Sequence, residues 1–150
     1  MYNAGSTLKP FNLRRCAYMS LQTLPIKQPR SIIDGLRISV MSRHTLSDGK
    51  TLDPEITNNL FDIHLPELGP PPKLVGGYYR REVSWSEFVV KYLEYIRQEE
   101  VIIILWDLIL LSQEINVTLL CIENSPQFCH RRLLAQECQR LSSQVDVNIL

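Results

Sequence analysis

NVTLLCIENSPQFCHRRLLAQECQRL, residues 116–141, is the stretch whose reading decides the fold. Asn116 to Ile122 form a nearly unbroken apolar run, the pattern of a strand covered on both faces of a parallel sheet. Ser125 and Pro126 then read as the N-cap and first position of a helix running to Leu141. VDVNIL, residues 145–150, closes the chain as a further strand. Strand, helix and strand with short joins imply a right-handed parallel crossover. The predicted class is therefore α/β: a three-layer sandwich with a mainly parallel central sheet and a long irregular loop region.

Working upstream, VIIILWDLILL (101–111) suits a strand locally but delivers the chain to the next strand more naturally as a helix, and is read as one. Its length is about half the ~20 residues of a membrane span, and Asp107 interrupts it. SWSE (84–87) has the form of a capping box, and Trp85, Phe88, Val89, Tyr92, Leu93 and Ile96 continue it as one apolar helical stripe. LRISVM (36–41) alternates with period two, as a strand does. Between them, residues 42–83 read as irregular, with FDIHL (61–65) a short strand. Pro25 makes LQTLPIK (21–27) at most an edge strand. Residues 1–25, with no acidic group before Asp34, read as a poorly ordered appended extension, with Met19 an alternative start; residues 26–150 read as a single α/β domain.

Composition narrows the function classes. Lys plus Arg equals Asp plus Glu at 16 each, so the chain lacks the basic excess of a protein that grips phosphate backbones, and nucleic acid is not expected as a partner. The 4 cysteines are too few for a secreted disulfide framework, and the cytoplasm is the expected location. The partners this leaves are a small anionic ligand and a second copy of the chain. Neither a membrane partner nor a cofactor is expected.

In parallel α/β sheets ligands gather beyond the carboxyl ends of strands, where helix N-termini point free amides. CIENSPQFCHRR (121–132) lies at such an edge. A helix start lowers a thiol pKa, so Cys129 reads as nucleophile or redox thiol, with His130 and Glu123 as its catalytic neighbours. Helical spacing turns Arg131 inward with Leu134, Ala135 and Cys138, and leaves Arg132 a solvated charge. Arg131 then needs a partner: either Glu123 in a structural ion pair or a substrate carboxylate or phosphate. Cys121, Arg43 (after LRISVM), and His64 and Glu67 (on HLPELGPP) complete the predicted ligand-binding set, with Glu67 equally able to pair with Arg43. Cys121, Cys129, His130 and His64 also offer metal donors, but no metal site is assigned. C-x7-C-H lacks the tight cysteine pairs of a zinc ribbon, and adjacent helical residues splay apart.

DGLRISVMSR, LPELGPPPKLV, SWSEFVVKYLEYI and VTLLCIENSPQFCHRRLLA, in this order, resemble the family catalogued as domain of unknown function 488, over about residues 26–150. The resemblance implies a compact three-layer α/β domain with Arg43, Glu67, Cys121, Glu123, Cys129, His130 and Arg131 as its site; it implies no reaction. The expected function is a thiol-dependent transferase or hydrolase with an anion-binding pocket at the sheet's carboxyl edge. The alternatives are a non-catalytic binding or redox-responsive module and a Cys/His metal-binding protein.

Overall fold

The computed structural model describes residues 19–150. The expected extension lies outside them as far as residue 18, but its last residues do not behave as an appendage. Ser20–Pro25 form β1, which sits inside the sheet, flanked on both sides. The edge position expected from Pro25 does not arise, because that proline is the strand's last residue and interrupts no ladder.

The remaining strands are β2 (Leu36–Ser39), β3 (Ile63–His64), β4 (Val117–Cys121) and β5 (Asp146–Ile149). They form one sheet in the order β3-β2-β4-β1-β5, and every pairing is parallel. This meets the α/β expectation. The helices are α1 (Pro72–Tyr79), α2 (Trp85–Ile96), α3 (Glu99–Glu114) and α4 (His130–Leu141). The ambiguous apolar run is helical. Its Val101, Leu105, Leu108 and Ile109, at helical spacing, are buried in the main core. The capping box forms as read: Glu87 N–H donates to Ser84 Oγ, and Ser84 N–H donates to the Glu87 carboxylate.

Two elements differ from the sequence reading. α1 arises inside the stretch taken as irregular, since Pro72 suits a helix's first position even though Gly76 and Gly77 are poor helix formers. α4 begins four residues later than an N-cap at Ser125 predicts. Residues 125–128 turn instead, and Cys129, with φ −130° and ψ 138°, becomes the N-cap residue.

One face of the sheet packs Leu21, Ile38, Val117 and Leu119 against the helices. The other is covered by the irregular chain around residues 26–62. Arg37, alternate to Ile38 and 0 % exposed, reaches into that cover and donates to the backbone oxygens of Leu60 (2.7 Å), Gln28 (2.9 Å) and Ile26 (3.3 Å) and to Asp34 (2.7 Å). The sheet's carboxyl edge therefore emerges between a helical layer and a loop layer. That is where the cysteines lie.

Two groups make the fold acid-sensitive. Burial and the neighbouring His64 hold His44 neutral, its pKa lowered to about 4. The unfolded chain takes up this proton below ~6.5 and the folded chain does not, so stability falls as pH drops from ~6.5 towards 4. Glu137, between Arg97 and Arg140, is held down to about 2, and its contribution is lost below its ordinary value of 4.5. Thermal melts from neutral to acid pH should show Tm falling first with the His44 step. Loss of that first step in His44→Gln is the check.

Candidate functional site

β4 ends in Cys121, and the eight-residue turn after it brings the chain back so that Cys129 and His130 face the strand's end. Cys121 Sγ, Cys129 Sγ and one ring nitrogen of His130 all lie within 4.8 Å of one another, and all three residues are buried. His130 Nε2 sits 2.7 Å from the Val40 carbonyl, which can only accept, so Nε2 carries the proton. Nδ1 lies on the other side of the ring, 3.6 Å from Cys121 Sγ. The expectation that Cys129 and His130 splay apart fails for a backbone reason. Cys129 precedes the first helical turn in extended conformation, so the two neighbours do not follow helical spacing.

The charge on the sulfur pair falls on the other cysteine from the one expected. Cys121 accepts from Cys129 and from the backbone N–H groups of Ile122 and Glu123, with the Arg131 charge nearby; together these lower its pKa against the cost of burial. Cys129 is pushed well above the ordinary thiol value by Cys121 and by burial. Of the two sulfurs, Cys121 is thus the one that loses its proton more readily, with Cys129 placed as its donor. The helix-start argument for Cys129 fails because its side chain accepts no bond from the helix amides, while Cys121 and burial raise its pKa. Cys138 is fully buried and pushed up to about 12, an inert core thiol.

Arg131 does point inward and is 0 % exposed, but Glu123 is not its ion-pair partner. The guanidinium donates to the Glu123 backbone carbonyl, to the Asn124 and Leu150 carbonyls at 3.4 and 3.5 Å, and to Cys129 Sγ at 3.6 Å, while its Nε–H finds no acceptor. No Asp or Glu side chain among the described residues pairs with it. It is thus occupied behind the sulfurs and does not line the cavity in front of them, which corrects its place as a ligand-binding residue. The Glu123 carboxylate accepts from Tyr79 Oη at 2.6 Å, a bond that with burial raises the tyrosine's pKa. Arg132 is half-buried and donates to the Pro126 and Gln127 carbonyls, so it braces the turn instead of being merely solvated.

A cavity of about 750 Å³ opens over Cys121, Cys129, His130 and Glu123. Arg43, exposed and bonded to the Gly49 carbonyl, lies on its lip. His64 and Glu67 are not brought there. His64 bonds to the Met41 carbonyl and stacks on His44 at 4.1 Å, while Glu67 is exposed and forms no pair with Arg43. His64 ends β3, at the sheet's far edge two places from β4, and Glu67 lies in the 3-10 turn that follows it. The sequence reading missed Lys27 and Lys50, and the aromatic wall of Tyr78, Tyr79, Trp85, Phe88 and Phe128. Only Trp85 and Phe88 had been noticed, as part of the α2 stripe.

A family model described as DUF488-N3a, the active DUF488-N3 subclade, matches residues 21–140, and the chain belongs to this DUF488 family. No curated protein and no solved structure matches it. No helix among the described residues is long and apolar enough to cross a membrane.

Proposed function

We propose that this DUF488-family protein is a thiol-dependent transferase or hydrolase with Cys121 as its nucleophile and a small anionic molecule as its substrate. The observation that carries the reading is Arg131. A guanidinium with no exposed surface and no Asp or Glu partner, held by the main-chain oxygens of Glu123, Asn124 and Leu150 and by Cys129 Sγ, favours negative charge close by. The nearest side-chain groups able to hold a compensating charge are the paired sulfurs. A thiolate held on Cys121 serves both needs, neutralising the arginine and arming the strand's end for attack.

In the reaction class this suits, Cys121 Sγ bonds to an electrophilic centre while the leaving group departs with its electron pair. Water or a second acceptor then takes the transferred group and releases the thiolate. Cys129 Sγ and His130 Nδ1 are the nearest side-chain groups able to give or take a proton at that sulfur. The description of the matching subclade as active favours catalysis over a module that only binds. Alkylation with iodoacetamide across pH, mapped by peptide mass, tests this. Cys121 should react first, with half-maximal rate below the ordinary thiol pKa. First reaction at Cys129 or Cys138, at an ordinary pKa, would leave the proposal without its nucleophile.

A second reading rests on the same convergence. Two sulfurs and a ring nitrogen of His130 within 4.8 Å, facing a cavity, make a three-ligand set suited to zinc with its fourth position open. Elemental analysis of the purified protein separates the two. Stoichiometric zinc, lost in Cys121→Ser and in His130→Ala, would make Cys121 a ligand and not a nucleophile.

A further inference from the structure

We propose that the cavity over Cys121 takes a free mononucleotide, a planar heteroaromatic ring against its aromatic wall and a phosphate on its cationic lip. The inference names the substrate class of the site and so rests on the reading above. It is carried by residues that reading does not use.

The wall is built by three separate elements. α1 supplies Tyr79, α2 supplies Trp85 and Phe88, and the turn before α4 supplies Phe128. Trp85 and Phe88 lie nearly parallel, 14° apart at 5.2 Å, and Phe128 meets Trp85 edge-on at 5.6 Å. The core does not consume them all: Phe128 is 51 % and Tyr79 52 % exposed at the mouth. Large apolar rings left facing solvent at the rim of a cavity mark a binding face more than a packing one. Aromatic faces of this kind hold a nucleobase by stacking, worth ~1–3 kcal/mol per base.

The opposite lip comes from the loop after β2. Arg43 and Lys50 stand there, and neither forms an ion pair among the described residues, whereas Lys27 is held by Asp53 and Glu55. Asp48 stands on the same lip near Lys50, but with neither cation in an ion pair both can turn to a ligand. Cations across from an aromatic wall suit a molecule with an apolar planar end and an anionic end. The volume of about 750 Å³ lies in the range of ~300–1,000 Å³ that encloses small ligands. A net charge of zero favours a single nucleotide over a polymer, whose many phosphates need a basic surface.

The test is a fluorescence titration of the full chain carrying Trp106→Phe, which leaves Trp85 as sole reporter. Purine and pyrimidine nucleoside monophosphates should quench it saturably. The matching nucleoside, and ribose 5-phosphate, should each bind at least about tenfold more weakly, the loss expected for one charge-assisted contact or one stacked base. Joint replacement Arg43→Ala and Lys50→Ala should weaken the nucleotide to the level of its nucleoside and leave the nucleoside unchanged. No saturation by either monophosphate, or ribose 5-phosphate binding as tightly as the nucleotide, overturns the inference. So does tighter binding of a short single-stranded oligonucleotide at physiological salt. Repeating the titration on Cys121→Ser keeps the two proposals apart. Binding there upholds the ligand class even if the alkylation profile defeats the nucleophile. A reactive Cys121 without nucleotide binding defeats the ligand class alone.

Discussion

Arg131→Leu should destabilise the protein by roughly 3–5 kcal/mol and move the pKa of Cys121 upward, while the bonds from Cys129 and the Glu123 and Ile122 amides still hold it down. Both effects follow from one position. The guanidinium ties the Glu123 and Asn124 carbonyls into the turn behind the sulfurs, and leucine leaves those buried acceptors without a donor. It also removes the charge that, with the Ile122 and Glu123 amides, favours the thiolate. Urea denaturation at neutral pH gives the first quantity, and alkylation rate against pH gives the second. A purely structural arginine would lower stability and leave the thiol titration where it was. Arg131→Lys makes the separation cleaner: it keeps the charge but not the fork, so the thiol should stay reactive while part of the stability is lost.

Arg37→Leu should cost as much, again roughly 3–5 kcal/mol, and spare the thiol. Arg37 links the sheet to its loop cover by three backbone carbonyls and by Asp34, which is itself 2 % exposed. Leucine would bury the Asp34 charge without its partner. Asp34→Asn with Arg37→Leu should recover part of the loss, since no ion is then stranded. A single variant as stable as the parent would mean that the loop layer is held by its apolar contacts alone.

The sequence carried the strands and the long helices because each has a local cause: alternation in LRISVM, an unbroken run in VTLLC, a capping box at Ser84. Burial of Arg131 was legible for the same reason, as a position on a helical stripe. What failed depended on contacts that no spacing encodes. Pro25 signals an edge only if the strand continues past it, and β1 ends there. The start of α4 turns on where the loop tightens, and a shift of four residues moved Cys129 from inside the helix to its cap. With that change Cys129 and His130 both come to face Cys121. His64 and Glu67 looked close because HLPELGPP is conspicuous, but strand order, which the sequence does not print, sends them to the far edge. The aromatic wall was hidden in α2's apolar stripe, where periodicity identifies buried rings without saying which side of them stays open.

The most direct measurement is a count of thiolates by ultraviolet absorbance of the native protein from acid to alkaline pH, on the parent and on single Cys→Ser variants. One thiolate per chain at neutral pH, present in Cys138→Ser and gone in Cys121→Ser, is the expected result. No thiolate until the pH reaches the ordinary thiol range, or one that survives the loss of Cys121, would contradict it.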